Sequence, residues 1–145
     1  MELRWHADDP AIADVVMLDR DPADDLIDVP AVRRYRLDRV RSQMDHYGVD
    51  ACLLFDPVNI RYATGTRNMQ IFTSRNAPAR YLVLTADRSV LHEFTGCEHL
   101  AAGFDTVDEV RPATTASFVA AGPGTAAQER RWADEISSLL AELLG

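Results

Sequence analysis

Lysine is missing altogether: all 15 basic residues of this 145-residue chain are arginine. Without a lysine amine, Schiff-base chemistry and general-base catalysis by lysine are excluded for this chain. Cysteine is scarce. Cys52 and Cys97 are too few for a disulfide framework, and Cys52 lies in the apolar run Ala51-Cys52-Leu53-Leu54-Phe55, where a small buried thiol fits. No apolar run approaches the roughly 18–20 residues that span a bilayer. The start, "MELRWHADDP", lacks the apolar stretch of a secretory signal. These absences lead us to expect a cytoplasmic protein with no membrane partner. There is also no Gly-x-Ser-x-Gly elbow for a nucleophilic serine. The only phosphate-loop-like stretch, "AAGPGT" (120–125), carries a proline between its glycines and no following lysine.

The length suits one domain with one sizeable core, and a composition of 47% hydrophobic and 26% charged residues is that of a globular chain. The formal net charge of −8 is uneven. Residues 1–28 hold Glu2 and eight Asp against Arg4 and Arg20, so the arm carries nearly all of it. A body close to neutral argues against a nucleic-acid partner. Within the arm, "DRDPADDLIDVP" (19–30) superficially suggests a calcium loop. The sixth position is Asp24 where glycine is required, and the twelfth is Pro30 where glutamate is required. We read residues 1–28 as an acidic arm, and residues 29–145 as the domain.

The domain opens with Asp28 as a helix cap and Pro30 in the first turn. Leu37, Val40, Met44 and Tyr47 mark one apolar helical face, Gly48 a stop, and Arg33, Arg34, Arg36, Arg39 and Arg41 a solvated face. "DACLLFD" (50–56) and "ARYLVLT" (79–85) are apolar on both faces, as in a sheet covered by helices. "TADRS" is a turn and "VLHEF" (90–94) the return strand of a hairpin. A short helix over Glu98–Ala102 ends at Gly103, and weaker strands follow at "VDEVRP" (107–112) and "TASFVA" (115–120). The last helix starts with a Thr125/Gln128 capping box, carries the stripe Trp132, Ile136, Leu139, Leu140 and Leu143, and stops at Gly145. This order indicates an α/β domain with a mixed sheet flanked by helices.

The most metal-like cluster is "HEFTGCEH" (92–99). On a strand His92 and Glu93 point to opposite faces, and Cys97 and His99 match no closed-site spacing. No catalytic and no metal-binding residue is therefore expected. A different signal comes from "NIRYATGTRNMQ" (59–70), which follows the first strand. Pro57 suits a strand exit, Asn59 reads as the cap of one short helical turn, and Gly65 can end that turn in the left-handed conformation. The residues beyond it, Arg67, Asn68 and Gln70, are not explained by a turn.

"GVDACLLFDPVNIRYATG" (48–65) resembles the hallmark of the creatinase/prolidase N-terminal domain. That domain precedes the pita-bread catalytic domain of aminopeptidase P, prolidase, creatinase and their relatives. Pro57, Asn59, Ile60, Tyr62, Thr64 and Gly65 occupy its Pro-x-Asn-Ile-x-Tyr-x-Thr-Gly positions, and the match spans about residues 30 to 144. Arg61, Asn68, Met69 and Gln70 are most similar to a branch that includes dimethylsulfoniopropionate lyases and Xaa-Pro peptidase-like proteins. The resemblance implies a ribonuclease-H-like fold. It also implies an enzyme with two divalent metal ions, held by a C-terminal catalytic domain that this chain does not contain, and so no cofactor in the chain itself. Expected partners are that catalytic domain, a second copy in a homodimer, and a small-molecule or short-peptide substrate. Arg67, Asn68, Gln70, Phe72, Arg75 and Asn76 are the expected contribution to the substrate pocket of a partner subunit, supplying guanidinium forks, amides and a ring. Three readings stay open: a non-catalytic domain of an Xaa-Pro hydrolase, the same domain of a lyase for a small zwitterion, and a stand-alone binding or scaffolding module.

Overall fold

The computed structural model describes residues 26–68, 79–116 and 121–145. Helix α1, Val29–His46, starts where Asp28 accepts a hydrogen bond from the Ala31 amide (2.9 Å), with Pro30 in its first turn. Both features satisfy or remove donors that the first helical turn leaves open. Gly48, at φ 64°, turns the chain into strand β1, Ala51–Leu54. Helix α2 spans Pro57–Thr64, and β2 (Tyr81–Thr85) and β3 (Ser89–Glu93) form the expected hairpin. In its turn the Thr85 hydroxyl accepts from the Arg88 amide at 3.0 Å. A 3₁₀ turn at Glu98–Ala101 leads to β4, Glu109–Pro112, and a second at Gly122–Gly124 leads to α3, Thr125–Leu144.

The sheet runs β1-β2-β3-β4, with antiparallel pairs except for β3 and β4, which are parallel. It is therefore mixed, as expected. Alternation along the strands divides the core into two layers. Leu82, Leu84 and Leu91 face α1 and α2, where they meet Leu37, Met44, Ile60 and Ala63. Tyr81, Val83 and Val90 face α3 and meet Ile136 and Leu139, with Trp132, Leu140 and Leu143 packed at the margin. Burial on both faces explains why β2 reads as a continuous apolar run.

Three expectations need correction. Tyr47 does not join the apolar face of α1; it follows the helix end and is 72% exposed. The arginines of α1 are not simply solvated. Arg33 stacks over Phe104, Arg34 pairs with Asp105, Arg36 lies over Tyr62, and Arg41 donates to the Thr85 carbonyl. No capping box forms at α3: Thr125 is already helical, and its hydroxyl donates back to the Gly122 carbonyl (2.7 Å). The Gly-Pro-Gly turn runs straight into the helix, so the position ahead of Thr125 is Gly124, without a side chain to cap. Most of the acidic arm and residues 117–120 of "TASFVA" lie outside the described residues.

Candidate functional site

The chain leaves β1 through Phe55 and Asp56, and here the cap differs from expectation. Asp56, not Asn59, caps α2: its Oδ1 accepts from the amides of Val58 (2.9 Å) and Asn59 (3.0 Å). Pro57 takes the first helical position, and Asn59 lies inside the first turn. A proline at that position fits one residue after a cap. Ile60, Ala63 and Thr64 are buried, while Tyr62 lies at the surface beneath the Arg36 guanidinium. Gly65 ends the helix at φ 77°, as expected. A Cβ there would come within 2.7 Å of the Arg33 side chain, so space and backbone both call for glycine.

Directly beyond Gly65 the structure buries a polar network. Thr64 donates to the Ile60 carbonyl (2.7 Å) and shares a 2.7 Å contact with the Thr66 hydroxyl. Arg80 is 4% exposed and Glu93 is fully buried. They are neighbours across the hairpin, one residue beyond the Tyr81–His92 pair, on the face that packs against α1 and α2. Arg80 donates through Nε to Glu93 Oε2 (2.7 Å) and through Nη2 to Thr66 Oγ1 (2.6 Å). The other carboxylate oxygen, Oε1, accepts from Asn68 Nδ2 (2.6 Å) and from the Phe94 amide (3.0 Å). The Thr106 hydroxyl adds a bond to the Thr64 carbonyl. A charge this deep is tolerated only when paired and hydrogen-bonded, and here both carboxylate oxygens are occupied.

This network fixes the point at which the chain departs after α2. Arg67 stands exposed at that point, and Asn68 is drawn inward to Glu93. Gln70, Phe72, Arg75 and Asn76 lie outside the described residues. Sequence reasoning missed Arg80, Glu93, Thr66 and Thr106. A signal for the first two was present: extending the hairpin register by one step places two opposite charges side by side on an inward face.

The "HEFTGCEH" cluster separates as its strand geometry requires. Glu93 enters the network above, whereas His92 stacks on Tyr81 on the opposite face at 4.4 Å between ring centres. Burial, assisted by the Arg111 charge, pushes the His92 imidazole down to about 4, and burial pushes the Tyr81 phenol up to about 12. Glu109 is held below the usual carboxylate range by its hydrogen bonds to Arg111. Among the described residues no three His, Cys, Asp or Glu side chains converge to hold a metal ion, so these residues do not fit a two-metal centre. Nor is any helix among them long and apolar enough to cross a membrane.

Comparison with known proteins agrees with the strand-exit motif. The family described as Creatinase/Prolidase N-terminal domain matches residues 36–142. A dimethylsulfoniopropionate lyase, DddP, from Roseobacter denitrificans is 44% identical over 63 residues, covering 43% of this chain and 14% of that protein. The DddP of Roseovarius nubinhibens is 29% identical over 118 residues, covering 81% of this chain and 26% of that protein. The chain thus spans about a quarter or less of the length of these curated relatives. A solved Xaa-Pro aminopeptidase from Streptococcus pyogenes superposes with a TM-score of 0.46 at 26% identity, over 56% of this chain and 57% of that one.

Proposed function

Because this chain belongs to the creatinase/prolidase N-terminal domain family, we propose that it acts as the non-catalytic, substrate-selecting domain of a two-metal enzyme. In this reading residues 67–76 border the substrate pocket of the other subunit in a homodimer. The metals and their ligands belong to a catalytic domain, and no step of the chemistry passes through the residues described here. The observation that carries the reading is the buried Arg80–Glu93–Thr66–Asn68 network. A rigid anchor at the base of a segment determines where its side chains point, which is what a specificity loop requires.

Two substrates compete within this reading. The sequence motif alone put Xaa-Pro bonds first. Both curated relatives, however, are lyases for dimethylsulfoniopropionate, and that favours a small sulfonium or betaine-like zwitterion. Arg67 and Arg75 would suit its carboxylate, because a guanidinium can bind a carboxylate through two parallel bonds.

The test joins this domain to its metal-binding domain and assays both substrates. Arg67→Ala is expected to change KM or kcat for one of them while leaving Tm unchanged, since Arg67 is exposed. In mixed dimers with a subunit lacking a metal ligand, activity should depend on which chain carries the substitution. Activity indifferent to that choice would refute the shared pocket. The absence of any catalytic domain joined to the chain would leave the stand-alone module as the better account.

A further inference from the structure

On the α3 face lies a wide-mouthed surface cavity of about 540 Å³, lined by the end of β3, the end of β4 and the second half of α3. It is on the opposite side of the sheet from the strand-exit network and independent of the proposed function. Its volume is that of a small-molecule site. Pro112, Ala113 and Leu139 give it apolar walls, and His92, Arg111, Thr114, Glu135, Ser138 and Glu142 supply polar groups.

The charges of the lining are unequally committed. Arg111 is held by Glu109, through Nε at 2.6 Å and Nη2 at 3.1 Å, and by Glu142 at 3.5 Å. An incoming anion would find that guanidinium already neutralised and two carboxylates beside it. Glu135 differs. It accepts only the Thr114 hydroxyl, through Oε2, and no cation pairs with it among the described residues. Thr114 is held in turn by its amide, which donates to the Tyr81 phenol oxygen (3.3 Å). Among the described residues nothing pairs with Glu135 Oε1, and Glu135 lines the same cavity as Pro112, Ala113 and Leu139. His92, 5% exposed, is the remaining titratable group of the lining. Its buried Nδ1 makes no well-formed hydrogen bond among the described residues, and the Val90 carbonyl is the least of the influences on its ionisation. The ring is neutral at physiological pH, so it does not repel a positive ligand.

We propose that this cavity binds a small alkylammonium ion, with the ammonium against Glu135 and the alkyl chain along Leu139, Pro112 and Ala113. The site wants one positive charge, because its other charges balance: Arg111 and Arg88, which meets Glu109 at 3.6 Å, offset Glu109 and Glu142.

The experiment is an NMR titration of the 145-residue chain with n-butylammonium, and with butyrate at matched ionic strength. Saturable shifts at His92, Thr114 and Glu135 with the amine, and none with butyrate, are expected. Glu135→Gln keeps the shape and removes the charge of an exposed side chain, so the fold should survive, and affinity should fall about tenfold or more. Glu129→Gln, an exposed carboxylate earlier on the same helix, should leave affinity unchanged. Equal shifts with butyrate, unaltered affinity in Glu135→Gln, or no saturation by the amine in the folded protein would each overturn the proposal.

Discussion

The two faces of the sheet bury polar groups in opposite ways. Toward α1 and α2, full charges go inside, and Arg80 and Glu93 are bound by each other, by Thr66, by Asn68 and by a backbone amide. Toward α3, the buried Tyr81 ring packs against the buried His92 imidazole and the half-buried Trp132 ring, without a charged pair. The first arrangement uses its hydrogen-bonding capacity internally and fixes the chain. The second keeps its imidazole uncharged and leaves capacity on the adjoining cavity wall. A satisfied network specifies geometry, whereas an incompletely used one is where a ligand can compete.

The sharpest way to break this contrast is to remove one member of the charged pair. Glu93→Ala should destabilise by about 3–5 kcal/mol in urea melts, because Arg80 is left buried without its counter-charge. Replacing both, as Arg80→Met with Glu93→Leu, should cost less than the single change. A double variant worse than Glu93→Ala would show that the network stabilises the fold outright rather than determining its geometry.

On the other face the handle is pH. The unfolded chain carries an ordinary histidine near 6.5, and the folded His92 is pushed down to about 4. Between those values the unfolded state binds the extra proton, so stability is full above 6.5 and declines as pH falls toward 4. The loss between pH 7 and pH 5 should be about 2 kcal/mol. His92→Phe should flatten this part of the profile. An unchanged slope in that variant would mean that other groups produce it, and that the imidazole titrates normally.

A smaller effect separates two neighbouring residues at the strand exit. Asp56→Ala should cost about 1 kcal/mol as the loss of a cap. Asn59→Ala, at an exposed helical position, should stay within about 0.5 kcal/mol. Equal losses would mean that both side chains support α2.

The same residues show what could be read from sequence. Asp28 with Pro30, the hairpin and the stripe from Trp132 to Leu143 were legible because each depends on near neighbours. A turn ending at Gly65 is legible at the strand exit, but the helix begins at Pro57, and its cap is Asp56 rather than Asn59, one residue before the proline. The buried pair was invisible for a different reason: Arg80 and Glu93 are 13 residues apart, and each alone resembles a surface charge. Arg33 and Arg34 misled in the opposite sense, since Phe104 and Asp105 reach them only after folding.

The Arg80–Thr66 bond has a consequence for how this protein can diverge. It joins Thr66, ahead of residues 69–78, to Arg80, which follows them, so the two flanks are held together by a bond that none of those ten residues supplies. The entropy of closing a flexible connection rises slowly with its length, and doubling that length costs only about 0.6 kcal/mol. Insertions, deletions and wholesale replacement there should therefore be tolerated far better than a change in either anchor. Selection can rewrite those residues while the anchors stay, and new specificity can arise on an unaltered scaffold.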